Sequence, residues 1–212
     1  MSEKKEVTGE EVFVPRTSLG RLVAEGKIMN LREILNEGLR IREPGIIDFL
    51  LPDLEEEILD ISLVQKQTDA GERSKFKAIA AIGNRDGYVG VGTGKARQVR
   101  EAINKALVSA KLNIMPVRRG CGSWDCRCSE KHSIPLKVHG KCGSVEITLL
   151  PAPRGVGIVA ASLVKTILSL AGIRDCWTRT RGQTTTAHSL SLATIRALEN
   201  LYGIVTPKEW TK

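Results

Sequence analysis

The chain has 212 residues, 42% of them hydrophobic, and carries a formal charge of +8 with a sequence isoelectric point near 9.4. That is apolar content enough for a real core, and more length than one compact domain usually takes, so two small domains plus an extension are expected. No apolar run is long enough to span a bilayer, and the charged start Met1-Ser2-Glu3-Lys4-Lys5-Glu6 has no apolar export core, so the expectation is a cytosolic protein with no membrane partner.

The charge is regional. Residues 1–60 hold 8 Lys/Arg against 14 Asp/Glu, residues 61–120 hold 12 against 4, and residues 121–212 hold 12 against 6. An acidic leading segment ahead of a basic body points to polyanion binding by the body and to a protein neighbour for the segment.

The first dozen residues are polar. Ser18 is suited to cap a short helix carrying Leu19, Leu22, Val23 and Lys27, and Asn30 a second one carrying Leu31, Ile34, Leu35 and Leu39. Helices this short need a body or a partner to pack on. Pro44-Gly45 breaks the pattern, and Ile46 to Leu51, closed by Pro52, reads as an apolar docking segment.

From Glu57 the period becomes two. Leu59, Ile61 and Leu63 alternate with Asp60, Ser62 and Val64, which predicts a strand with one buried face. Thr68-Asp69-Ala70-Gly71-Glu72 is turn chemistry, and a second strand follows with Phe76, Ala78, Ala80 and Ile82 on one face and Lys75 and Lys77 starting the other. Asn84-Arg85-Asp86-Gly87 makes a second hairpin, and Tyr88 to Gly92 a third strand, giving an antiparallel meander. Gly90, Gly92 and Gly94 fall two apart and leave one face nearly bare, open either to a tightly packed helix or to a nucleic acid. The next helix, from about Lys95 to Asn113, has apolar residues at 99, 102, 103, 106, 107 and 110 and places Arg97, Arg100 and Lys111 on its far side. Gly92-Thr93-Gly94-Lys95 is read as the start of that helix, where free backbone N–H groups would make an anion site.

Three readings of the glycine run compete. A P-loop requires glycine where Val89 stands and a hydroxyl where Ala96 stands. A dinucleotide loop requires a parallel βαβ setting. A small α/β unit that meets RNA phosphates with its hairpin tip and helix start requires only what is present.

Arg118 and Arg119 end the exit from the helix. Cys121, Cys126, Cys128 and His132 then fall within one short loop and supply ligands for a tetrahedral zinc, with Cys142 as a substitute; reduced thiols in a packed loop are the alternative, and the single residue between 126 and 128 strains simultaneous ligation. Beyond the loop, strands are expected at 134–139 and 144–150. A Pro/Gly loop at 151–157 leads to a helix carrying Leu163, Val164, Ile167, Leu168 and Ala171 and ended by Gly172. A strand from Ile173 to Arg179 and a helix carrying Leu190, Ala193, Ala197, Leu198 and Leu201 complete the layer. His139 and His188 stand alone in the sequence, and Trp210 in the 206–212 tail is expected to anchor on a neighbour or fold back.

Val64-Gln65-Lys66-Gln67-Thr68, the Gly83 to Ala96 stretch and Pro151-Ala152-Pro153-Arg154-Gly155-Val156-Gly157-Ile158-Val159 follow one another in a characteristic order and separation. From about residue 55 to 205 the chain resembles the small-subunit ribosomal protein five family in its archaeal and eukaryotic form. The resemblance implies an α+β fold: a double-stranded-RNA-binding-like domain (a three-stranded antiparallel sheet plus a helix), then a second α/β domain with a left-handed βαβ crossover. It also implies a structural constituent of the cytoplasmic small ribosomal subunit that binds ribosomal RNA and requires no cofactor. Its seat would lie beside small-subunit proteins three, four and eight and near the messenger RNA path, with the Thr68 to Arg73 loop bearing on decoding accuracy and head movement. It does not decide the zinc question.

The expected organisation is therefore an acidic extension at 1–52, an RNA-binding domain at 53–118, a cysteine-rich loop at 119–133 and an α/β domain at 134–212. The RNA-contact candidates are Arg73, Lys75, Lys77, Arg85, Gly90, Gly92, Gly94, Lys95, Arg97, Arg100, Arg118, Arg119 and Arg154. The enzymatic alternative is a phosphotransferase of the galactokinase and homoserine kinase type using the similar loop at 151–162, but Ile158-Val159 replaces its hydroxyl pair.

Overall fold

The computed structural model describes residues 15 to 203 other than 127 and 129, so the readings of the first dozen residues and of the Trp210 tail lie outside the described residues. The chain divides into two compact units, Met1–Pro52 and Asp53–Lys212.

In the first unit the described elements are three short helices, α1 (Ser18–Ala24), α2 (Leu31–Asn36) and α3 (Pro44–Leu50). The cap of α1 is Thr17 rather than Ser18: its side chain accepts a hydrogen bond from the Gly20 amide at 3.1 Å, so the helix starts one residue earlier than expected. Asn30 precedes α2 but donates to the Glu33 carboxylate at 3.1 Å instead of capping the backbone, and Leu39 falls beyond the helix end, exposed. Pro44 does not break structure here. It stands in the first turn of α3, where a missing N–H costs nothing, and the helix it starts buries Ile46 and Ile47.

The second unit is built on two four-stranded sheets. The first runs β1 (Glu55–Thr68), β2 (Gly71–Gly83), β3 (Tyr88–Ala96) and β4 (Ile114–Pro116) in sequential antiparallel order, with α4 (Val99–Leu112) between β3 and β4. The three-stranded meander thus gains a short fourth strand, paired with residues 88–90 of β3. One face of this sheet receives α4 and the other carries Ile79, Ala81, Val89 and Val91 into the main core, so β2 is buried on both sides from Ala78 to Ile82. The face expected from Leu59, Ile61 and Leu63 is split by a bulge between Ile58 and Asp60. The extra residue sends Leu59 toward the main core, while Ile61 and Leu63 stay on the opposite face of an edge strand and remain exposed.

The bare face of β3 is filled from within the chain. A Cβ on Gly92 would lie 2.2 Å from the Ala110 nitrogen and 2.3 Å from the Ala106 carbonyl, and one on Gly94 would lie 2.2 Å from the Ala102 carbonyl. Ala102, Ala106 and Ala110 are themselves fully buried, so small residues on both elements bring helix and strand backbones together.

The second sheet has the order β5-β6-β8-β7, formed by β5 (Val138–Cys142), β6 (Val145–Pro151), β7 (Ile158–Val159) and β8 (Cys176–Arg181). β5 starts later than expected and contains Gly140, which lies against α6 (Ala187–Tyr202): a Cβ there would meet the Ala193 carbonyl at 2.2 Å. The tight turn moves to Gly143-Ser144 as a result. β7 and β8 are parallel and joined through α5 (Ser162–Leu170), forming the βαβ crossover, and Gly172 follows α5 at φ +79° as the sequence indicates. Helices α5 and α6 lie between the two sheets, and one continuous core joins Ile79 and Val91 of the first sheet with Ile147, Leu149, Ile167, Leu168, Ala193 and Leu198.

Because the α4 contact is backbone to backbone, no rotamer change can relieve added bulk. Gly92→Ala is expected to cost about 3 kcal/mol, the upper end for overpacking, read as a lowered midpoint in urea unfolding with an unchanged m-value.

Candidate nucleic-acid interface and candidate metal centre

The strand register gathers part of the expected basic set. Lys66 stands opposite Arg73, Val64 opposite Lys75, Ser62 opposite Lys77, and Lys77 opposite Lys95. Paired residues share a face, so Lys66, Arg73, Lys75, Lys77 and Lys95 form one stripe on the part of the β1–β2 hairpin that runs past the core. Lys66 was not among the sequence candidates; only the register places it there. Among the described residues none of Lys66, Arg73, Lys75, Lys95, Arg97 and Arg100 is within ion-pair distance of a carboxylate, and all are exposed.

The stripe carries repulsion that shows in its proton affinities. Lys77 is half-buried; burial and the neighbouring Lys95 ammonium hold it below the usual lysine value, against an opposing pull from Asp60. His188, at the second position of α6, is likewise held below the ordinary imidazole value by burial, then by Lys77 and Lys95, and its buried Nδ1 has no hydrogen-bond partner. A lone histidine in the sequence thus turns out to border the basic stripe.

The expected helix-start anion site is not formed as read. Gly92-Thr93-Gly94-Lys95 belongs to β3 and is paired with residues 77–80 of β2, and the helix begins only at Val99 after Gln98. Gly90, Gly92 and Gly94 are buried under α4, so they cannot give a ligand the close approach the sequence suggested. Arg97 and Arg100 still flank the true start of α4, where the helix dipole repels cations by about 0.3–1 kcal/mol unless an anion joins them. Lys111 is turned to Glu56 at 3.3 Å and is not part of a free basic face.

Arg85, Arg118 and Arg119 are at the other end of the sheet. Arg73 and Arg85 are twelve positions apart on and just beyond β2, roughly 40 Å of extended chain, so the basic set cannot act as one phosphate site. The 84–87 tip is docked on the end of α5: the Arg85 amide donates to the Leu170 carbonyl at 2.9 Å. Arg85 pairs with Glu55 at 2.7 Å, and the mostly buried Arg119 bonds Asp86 and, at 3.3 Å, the Arg85 carbonyl. Arg118 is half-buried beside it. Arg85 and Arg119 hold the tip in place.

The cysteine loop is closed at its base by reciprocal bonds between Gly120 and Ser133, at 2.8 and 2.9 Å. Inside it the ligand atoms of Cys121, Cys126, Cys128 and His132 all lie within 4.8 Å of one another. The Cys126 and Cys128 sulfurs approach to 3.0 Å, and His132 Nε2 lies 3.1 Å from Cys128 and 3.7 Å from Cys126, so the single intervening residue does not keep the two thiols apart. Cys142 is on β5, apart from the group.

The surroundings suit a thiolate-bound metal. Cys126 is pulled down to about 6, first by its hydrogen bond with Cys128 and then by backbone amides, while the same bond pushes Cys128 up to about 11. His132 is buried, and its Nδ1 lies 2.8 Å from an oxygen of the buried Asp175, which fixes the tautomer that turns the Nε2 lone pair to the sulfurs. Three sulfurs and one imidazole nitrogen are the ligand set of a closed structural zinc site. Asp175 has no spacing signal in the sequence; it was missed because its role depends on a hydrogen bond across 43 residues.

Asp175 also answers the phosphotransferase reading. Its second oxygen accepts from the Gly155 and Gly157 amides at 3.1 and 2.8 Å, so an internal carboxylate already takes the backbone donors a phosphate loop would offer. Arg154 in the same loop is exposed and paired with Glu130 at 3.1 Å.

Family models described as ribosomal protein S5, N-terminal domain, and ribosomal protein S5, C-terminal domain, match residues 54–118 and 140–209. The chain is 53% identical over 212 residues to the small ribosomal subunit protein uS5 of Sulfurisphaera tokodaii, covering 100% of this chain and 99% of the relative. It is 60% identical over 191 residues to that of Pyrobaculum calidifontis, covering 90% and 95%, and 55% identical over 202 residues to that of Aeropyrum pernix, covering 95% and 93%. The chain belongs to the ribosomal protein S5 family. No helix among the described residues is long and apolar enough to cross a membrane.

Arg119→Ala is expected to lower stability by about 1 kcal/mol by releasing the 84–87 tip, with Arg85→Ala costing only a few tenths, both read from chemical unfolding.

Proposed function

We propose that this chain is a structural constituent of the small ribosomal subunit in the cytoplasm and binds ribosomal RNA through the stripe formed by Lys66, Arg73, Lys75, Lys77 and Lys95, extended by Arg97 and Arg100. The observation that carries this reading is the crowding of these cations on one side of the hairpin, none of them in an ion pair among the described residues and only Lys77 feeling a carboxylate, Asp60. Mutual repulsion costs the folded chain stability, and phosphates convert that cost into affinity through counterion release. Four of its five cations are lysines, point charges suited to phosphates rather than to the two-pronged pattern of a base edge, so the stripe is assigned to the backbone and shape of RNA. Arg154 offers a separate contact on the second sheet's side.

The family supports a seat near the path by which messenger RNA enters, beside small-subunit proteins three, four and eight. In that setting the 68–73 tip is the part suited to bear on decoding accuracy and head movement, since it extends furthest past the core. The first unit, whose 8 Lys/Arg are balanced by 9 Asp/Glu and which therefore lacks the basic excess of the body, is assigned to a protein neighbour. Cys121, Cys126, Cys128 and His132 hold one structural zinc, which supplies a rigid, closed cross-link for the 121–132 loop and no chemistry on a substrate.

With a ribosomal RNA fragment, log affinity should fall linearly with log salt. Lys75→Glu and Lys95→Glu should each weaken binding about tenfold and flatten the slope by roughly one, measured by filter binding. Migration of the chain away from ribosomal particles in a sedimentation profile of cell extract would sink the assignment. For the metal, native mass spectrometry should find one zinc per chain, lost in Cys128→Ser and retained in Cys142→Ser; equal zinc content in the two variants would refute the ligand set.

A further inference from the structure

The loop at 151–157 is held in an unusual way. Gly155 and Gly157 sit at φ +90° and +75°, and a Cβ built on either would meet nothing within 4 Å. This part of the loop is therefore not fixed by packing. What holds it is a set of polar contacts: the Gly155 and Gly157 amides donate to Asp175 Oδ1, the Cys176 amide donates to the Gly157 carbonyl at 3.2 Å, and the Arg154 guanidinium meets the Glu130 carboxylate. Two of these acceptors are tied to the cysteine loop: Glu130 belongs to it, and the other oxygen of Asp175 holds His132.

Resting on the zinc reading above, we propose that Asp175 couples metal binding at Cys121, Cys126, Cys128 and His132 to the order of the 151–157 loop, so that zinc occupancy fixes where Arg154 is presented. A metal on Nε2 withdraws charge from the imidazole and makes its Nδ1–H a stronger donor, which anchors Asp175 Oδ2. The carboxylate is buried at 5% exposure and its backbone amide is bonded to the His132 carbonyl at 3.1 Å, so it has little freedom to respond except by holding or releasing the two glycine amides. Without the metal, His132 Nδ1–H is the weaker donor and the Asp175 anchor of the loop loosens.

The test is amide hydrogen exchange on the full chain, zinc-loaded and after chelation, with zinc content measured in parallel. Zinc removal should speed exchange at Gly155 and Gly157 at least tenfold while α6 keeps its protection. Asp175→Asn should weaken zinc binding about 10- to 100-fold and leave the loop fast-exchanging even when zinc is saturating. His132→Cys separates ligation from coupling: it keeps a fourth ligand but removes the link, so zinc should stay bound while loop protection falls to the zinc-free level. One zinc per chain with the same loop exchange in loaded and chelated protein would overturn the coupling and leave the metal centre standing. A wild-type chain that binds no zinc would overturn the metal centre itself. Loss of α6 protection together with the loop on chelation would also overturn the proposal, because the metal would then support the whole fold rather than this loop.

Discussion

The contact on which the rest of the second unit depends is the approach of α4 to β3. With glycines at 90, 92 and 94 facing alanines at 102, 106 and 110, the two backbones meet with almost nothing between them. Such a contact has no side chains to adjust, so its geometry is fixed by the sequence alone. It leaves the sheet thin on the helix side, while the opposite face, through Ile79, Ala81, Val89 and Val91, supplies the bulk that joins α5, α6 and the second sheet in a common core. The small-residue side sets position, and the large-residue side provides burial at about 2 kcal/mol for each Ile or Leu taken fully from water.

Given that frame, charge is sorted by its distance from the core. At the inner end of the sheet, Arg85 and Arg119 have anionic partners and serve the fold. Toward the outer end the cations are in no ion pair among the described residues and crowd one another. The same residue type is thus structural at one end and available at the other. The buried Asp175 follows a similar logic in the second sheet, where one carboxylate satisfies donors from a histidine and two glycine amides that no other group reaches.

Much of the fold was legible because periodicity survives translation into structure. Ala78, Ala80 and Ile82 on β2, and Leu190, Ala193, Ala197 and Leu201 on α6, are buried where their spacing places them. What escaped was decided by contacts distant in sequence. A single bulged residue near Leu59 sent it to another face, which no alternating pattern announces. Gly92 to Lys95 looks like a helix start because glycine before a basic, helical pattern suggests one, yet pairing with β2 held the run extended as far as Ala96. For the site, the four metal-ligand candidates were readable from clustering, whereas Asp175 and Lys66 needed the fold to bring them to their partners. The ion pairs of Arg85 and Arg119 were not legible, because their carboxylates lie about 30 residues away in the chain.

The β1–β2 hairpin has a mechanical consequence. Between Ala78, the last fully buried residue on β2 toward the tip, and Gly71 at the turn lie seven residue steps, an overhang of roughly 23 Å for an extended strand. A lever of that length amplifies motion at its root: tilting the sheet by about 5° would sweep the turn through about 2 Å, close to the difference between making and losing a hydrogen bond. The rigid helix–strand seam at Gly92 therefore acts as the fulcrum, and the stiffness of that seam limits how far the hairpin's far end can stray from whatever it touches.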